Sequence, residues 1–210
     1  MHLIQPKLFD ITPKPIGRPI DSAPEAFDII LCDPPWSYNE QMMSGQNKTT
    51  GSAESHYNTM TLDELKRLPI NEIAKQNSLC IMWTTGPQLK NSIELMGCDA
   101  WGFRYITIAF IWDKQMLNPS NYFMSRCELA IVGKRGAIPK GRETYSEEQF
   151  LSRKRTRHSE KPEEFRKRID RTWPNADKIE LFSRRAAKGW FVWGNQAPEC
   201  VALPALDIPW

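Results

Sequence analysis

No stretch of this 210-residue sequence approaches the roughly 18 consecutive apolar residues that a membrane-crossing helix needs. The segment from Met1 to Asp10 has no apolar signal core, so export is not expected. No CxxC and no Cys/His cluster is present, which removes the usual zinc arrangements, and no metal is expected. The five cysteines (Cys32, Cys80, Cys98, Cys127 and Cys200) are odd in number and scattered, so a disulfide framework is not expected either. Three of them, Cys32, Cys80 and Cys127, lie in or beside apolar strand-like runs. They read as reduced core thiols of a cytoplasmic protein.

What is present is a soluble globular composition, 40% hydrophobic and 25% charged. The net charge of +3 is unevenly spread. Residues 134–171 hold 13 Lys/Arg against 7 Asp/Glu, an excess of +6, which leaves 15 against 18, or −3, elsewhere. A concentrated basic excess suits a phosphate-contacting face, and it equally suits a solvated helix and loop.

Short runs of β-type residues recur at 27–32, 79–84, 105–112, 129–132, 178–182 and 190–193. Each is apolar at consecutive positions, which predicts strands buried on both faces. Helices are expected between several of them. Thr61 with Glu64 forms a capping-box pattern ahead of Leu62, Leu65 and Leu68. Residues 88–96 form a second helix stopped by Gly97. Pro162 opens a third at its first turn, with Phe165 and Ile169 on one face. Alternation of this kind predicts an α/β fold with a largely parallel sheet, helices on both faces, and ligands beyond the carboxyl ends of the strands.

Three domain segments follow: an extended proline-rich arm over 1–26, with a short edge strand at 7–11, a domain over 27–200, and a tail over 201–210. Two polar stretches, 39–56 and 136–158, are long for loops in a compact domain. They read as flaps over a site or as idle surface insertions.

Asp33-Pro34-Pro35-Trp36 follows directly on the apolar run 27–32. Two prolines fix the backbone and remove two amide donors, leaving the carbonyls beside them free to accept. A carboxylate and a carbonyl can together grip both hydrogens of an aromatic amine such as adenine N6, and Trp36 offers a face for stacking the base. A base in a duplex must first be flipped out. The bland alternative is a strand-terminating turn.

The ordered series DPPW (33–36), HYNTM (56–60), LCIMWTTG (79–86), IAFIWDK (108–114), CELAIVGKRG (127–136), RHSEKPEEF (157–165), KIELFSR (178–184) and GWFVWGNQ (189–196) resembles the MT-A70 family. The resemblance implies a Rossmann-like methyltransferase fold in permuted motif order, with the catalytic motif before the cofactor strand. It implies methyl transfer from S-adenosylmethionine to adenine N6 in nucleic acid. Asp33, Pro34, Pro35 and Trp36 would be catalytic. Asp33, Lys161, Arg184, Asn195 and Gln196 would bind the cofactor, with Asp10 and Ile11 offered for its adenine. Trp36, Tyr57, Glu128 and the basic residues Arg153, Lys154, Arg155 and Arg157 would face the substrate. Trp83, Trp112, Trp190 and Trp193 read as core instead.

The sequence departs from the family at Ala186 and Ala187, where a eukaryotic member has a His-Asn pair. DNA is favoured over RNA, and the protein could act as a homodimer or beside another subunit. The alternatives are the same chemistry on cytosine N4, and a non-catalytic nucleic-acid-binding partner of an active enzyme.

Overall fold

The computed structural model describes residues 23–37, 59–120, 122–155 and 160–194. In chain order these form β1 (Phe27–Cys32), α1 (Leu62–Lys66), β2 (Ala74–Thr84), α2 (Leu89–Met96), β3 (Arg104–Asn118), β4 (Ser125–Arg135), β5 (Phe150–Ser152), α3 (Glu163–Thr172), β6 (Lys178–Leu181) and β7 (Phe191–Trp193). The expected edge strand at 7–11, the loop at 39–56 and the tail at 201–210 lie outside the described residues.

Consecutive apolar residues make β1 a strand that feeds two cores at once. Phe27, Ile30 and Cys32 join one cluster, which α1 and α2 cover with Leu65, Leu95 and Met96. Ile29 and Leu31 join the other, which α3 covers with Phe165 and Ile169. The four tryptophans read as core are buried in these clusters. The capping box forms as expected: Glu64 accepts from the Thr61 amide at 2.7 Å, and the Thr61 hydroxyl accepts from the Glu64 amide. Pro162 is the N-cap of α3 rather than its first helical residue. Its carbonyl can still start the helix from there, and its missing N–H is no loss.

The sheet order is β5-β3-β4-β2-β1-β6-β7. β1 pairs in parallel with β2 and β6, β6 with β7, and β3 with β5. β4 is antiparallel to both its neighbours. Six strands therefore run one way and β4 alone runs back, so the sheet is largely parallel. The carboxyl ends of β1, β2, β3, β5, β6 and β7 share one edge.

Three expectations are corrected. β5 lies inside the polar stretch 136–158; it is a three-residue edge strand whose pairing with β3 comes from tertiary contact rather than from an apolar pattern. The first half of β3 is not buried on both faces: Tyr105 and Ile106 are exposed, because β5 reaches only residues 111–113 of β3. Of the three cysteines read as core thiols, Cys127 is exposed, whereas Cys32 and Cys80 are buried; Cys98 is exposed as well.

Candidate active site

The carboxyl edge collects most of the residues singled out above. Asp33 to Trp36 leave the end of β1. The basic residues Arg153, Lys154 and Arg155 leave β5, the first two exposed and the third half-buried. Arg184, exposed, follows β6. Glu128 sits on β4 opposite Trp112, one residue beyond the last β2 pairing, Thr84 with Leu129.

Lys161 reaches this edge because α3 is anchored there. The Phe165 ring packs edge-on against Trp83, with centroids 5.0 Å apart, and also against Phe110. That fixes the first turn of α3 over the end of β2. The ammonium of Lys161, just ahead of the helix, lies 5.6 Å from the Trp83 ring centre, close enough for a cation–π contact.

A chain of alternating charges results. Lys161 Nζ donates to Asp33 Oδ2 at 2.6 Å and lies 3.3 Å from Glu128 Oε2. Lys114 Nζ donates to the other Glu128 oxygen at 3.1 Å. Burial alone would push the Glu128 carboxyl up, but the two ammoniums outweigh it and hold the group below its ordinary value. Burial pulls Lys161 down, and the two carboxylates overcome that and raise it. Lys161 and Glu128 are thereby kept charged in a site with little water.

Lys114 was missed by sequence reading. A lysine beside an apolar strand usually points to solvent, yet this residue is 7% exposed. The signal that could have found it was the charged pair Asp113-Lys114 directly after the apolar run that ends at Trp112.

The DPPW turn holds its own shape. The Trp36 amide donates to the Pro34 carbonyl at 2.9 Å, across a three-residue turn, and the Met60 amide to the Pro35 carbonyl at 2.7 Å. The carbonyls expected to be free thus each carry one hydrogen bond, and each keeps a second lone pair. Trp36 forms a bridge with Met60 and is 8% exposed within the core cluster, which leaves little ring area for a base.

Two buried side-chain polar atoms find no hydrogen-bond partner among the described residues, Trp36 Nε1 and Thr85 Oγ1. Both lie just past the carboxyl end of a strand, where an orphan polar atom invites a ligand. The donor set suits an amino-acid-bearing cofactor: Lys161 for a carboxylate, Asp33 for an ammonium.

Beyond β6 the chain turns sharply. Phe182 takes a positive φ of 59°, and the Ser183 amide donates to the Trp193 carbonyl at 3.1 Å. A Cβ on Gly194 would fall 2.2 Å from the Ser183 carbonyl oxygen, so only glycine lets β7 end against this turn. Asp10, Ile11, Tyr57, Arg157, Asn195 and Gln196 lie outside the described residues.

The sequence matches the MT-A70 family model over residues 27–196. It is 38% identical over 185 residues to the type II methyltransferase M.MunI of a Mycoplasma species, an overlap covering 82% of this chain and 78% of that protein. It is 24% identical over 196 residues to the human N(6)-adenine-specific methyltransferase METTL4, covering 85% of this chain and 39% of that one. Against the human N(6)-adenosine-methyltransferase catalytic subunit METTL3 the identity is 25% over 180 residues, 81% of this chain and 28% of that one. The chain spans well under half the length of the two human proteins.

Proposed function

The chain belongs to the MT-A70 family of methyltransferases, and from that premise we propose that it moves a methyl group from S-adenosylmethionine to N6 of adenine in nucleic acid, DNA ahead of RNA. The observation that carries this reading is the Asp33–Lys161–Glu128 bridge beside the DPPW turn. DNA is put ahead of RNA on the stronger likeness to the type II methyltransferase.

S-adenosylmethionine supplies an electrophilic methyl when bound. Lys161 is the cation for its carboxylate and Asp33 the anion for its ammonium, and Arg184, Asn195 and Gln196 are assigned to its ribose and adenine end. Asp33 and the second lone pair of the Pro34 carbonyl accept the two amine hydrogens of the target base. That grip frees the nitrogen lone pair from the ring and aims it outward. The proton leaves after transfer, so no strong base is needed. Glu128, braced by Lys114, holds Lys161 from behind, so the charges are oriented before any ligand arrives. Tyr57 and Glu128 are assigned to the target base, and Arg153, Lys154, Arg155 and Arg157 to phosphates.

The test is methyl transfer from labelled cofactor to matched DNA and RNA oligonucleotides, single and double stranded, followed by nucleoside analysis. N6-methyldeoxyadenosine is expected. N4-methylcytosine would overturn the assignment of the base, and N6-methyladenosine from the RNA oligonucleotides alone would overturn the preference for DNA. No cofactor binding by calorimetry would mark a non-catalytic subunit.

A further inference from the structure

β3 and β4 do not stop where the site stops. β3 runs parallel to β1 and β2, so its end projects past the carboxyl edge. The β5 pairing ends at Asp113, but the β3–β4 ladder resumes at Asn118 opposite Ser125. β4 covers that interval in two residues, Cys127 to Ser125, while β3 bulges by the rest, so at roughly 3.3 Å per residue the paired ribbon extends about 7 Å beyond the sheet before its tip. Its tip is apolar and bare: Tyr122 is 90% exposed, Phe123 88%, Leu117 58% and Met124 54%. Single exposed apolar residues are ordinary, but four together at one tip mark a contact surface.

The ribbon is also aimed. Asp113 at its root ties three strands together. It accepts from the Gln115 amide at 2.9 Å, from the Ser152 hydroxyl of β5 at 2.8 Å, and from Arg126 Nη2 of β4 at 2.8 Å. Gln115 takes a positive φ of 54°, where the register shifts and the ribbon bends. Arg126 foremost, with the other donors, holds the Asp113 carboxyl well below the usual carboxylate range.

The sequence between Asp113 and Glu128 contains no acidic residue and two cations, Lys114 and Arg126. The neighbouring strand β5 delivers Arg153, Lys154 and Arg155 to the same edge. Two rings of about 150–250 Å² each fall short of the ~800 Å² per partner of a standard protein interface. A narrow two-stranded ribbon with stacking side chains and no negative charge fits a nucleic-acid groove instead.

We propose that the β3–β4 tip is a nucleic-acid wedge, in which Tyr122 and Phe123 stack on the bases flanking the nucleotide drawn into the site. This rests on the reading of nucleic acid as substrate. The wedge fills the gap left in the stack when a base swings out toward Asp33.

The test is fluorescence anisotropy on the full chain with labelled mixed-sequence duplexes, intact or carrying one abasic site, and with single strands. Wild type should prefer the abasic duplex, where the gap is already made. Tyr122→Ala/Phe123→Ala should lose about thirtyfold or more in duplex affinity, the loss of two stacked bases, and should lose the abasic preference. Cofactor affinity by calorimetry should stay at the wild-type value. Tyr122→Phe/Phe123→Tyr, which keeps two rings, should restore binding. Unchanged duplex affinity in the double alanine variant, in a protein that still methylates nucleic acid, overturns the wedge and leaves the proposed function standing. Wild type that neither binds nor methylates any oligonucleotide overturns both. A double variant that passes from dimer to monomer in sedimentation with duplex affinity unchanged overturns the wedge in favour of a second copy of this chain.

Discussion

Two lysines in this molecule each sit between two carboxylates, at opposite edges of the same sheet. Lys75 lies 2.9 Å from Asp28 and 2.8 Å from Asp177, where β1, β2 and β6 begin. Lys161 lies 2.6 Å from Asp33 and 3.3 Å from Glu128, where they end. The first clip braces backbone: Asp28 Oδ2 also accepts the Asp177 amide at 2.9 Å. Its lysine side chain is 37% exposed against 16% for Lys161. The second clip is drier, touches an aromatic ring, and includes the first residue of the DPPW turn. Identical chemistry is thus a backbone staple at one edge and, in the function proposed above, a ligand site at the other. The strands direct ligands to their carboxyl ends, where chain turns and helix starts leave room.

The sharpest break in the comparison is Asp33→Ala. It should abolish methyl transfer per folded molecule, beyond any loss of stability from leaving Lys161 with Glu128 alone, because the target amine loses an acceptor and the cofactor an anion. Retention of more than about a tenth of wild-type turnover, a barrier change of only roughly 1.4 kcal/mol, would sink the assignment. Lys161→Ala comes next. Cofactor affinity measured by calorimetry should fall by about 1.5–3 kcal/mol, the worth of a charged hydrogen bond, while oligonucleotide affinity holds. Unchanged cofactor affinity would move Lys161 to the phosphate face.

Asp28→Ala should do the reverse. Losing the ammonium and the Asp177 amide should cost about 1–2 kcal/mol of stability, trimmed by solvent, with turnover per folded molecule kept. A melting curve as in the wild type, or a loss of turnover matching that of Asp33→Ala, would erase the distinction between the edges. The pH response sharpens it further. Glu128 is held below its ordinary value of 4.5, so the stability it brings is complete above that value and drains away as pH falls through the lowered one. The gap in melting temperature between wild type and Glu128→Gln should therefore narrow as pH falls below 4.5; a gap constant down to about pH 2 would contradict the ion pair.

The smallest effect belongs to the basic run. Changing Arg153, Lys154 and Arg155 to Ser should weaken all oligonucleotides alike. It should also flatten the slope of log affinity against log salt by about 0.7–0.9 for each phosphate that is no longer neutralised. An unchanged slope would mean these charges only keep the loop soluble.

The places where the sequence could be read are those where neighbours along the chain decide the outcome. The apolar run of β1 ending at Asp33, the Thr61–Glu64 box and the Phe165/Ile169 face of α3 all follow from local periodicity and capping geometry. The reversal of β4, the three residues of β5, the exposure of Cys127 and the burial of Lys114 were hidden, because each depends on what a distant segment does or does not cover.

By itself, then, the sequence determined a largely parallel α/β sheet with DPPW at the carboxyl end of its first strand, since sterics and hydrophobic period act between residues a few positions apart. The RHSEKPEEF motif pointed to Lys161 through the family resemblance, but only the tertiary structure decided that Asp33 and Glu128 flank it. Lys161 and Asp33 stand 128 positions apart in the chain. A charge is worth what its distance and its desolvation make it. Those are properties of position in space, and they give Lys161 a drier setting than Lys75 although the two residues are of one type.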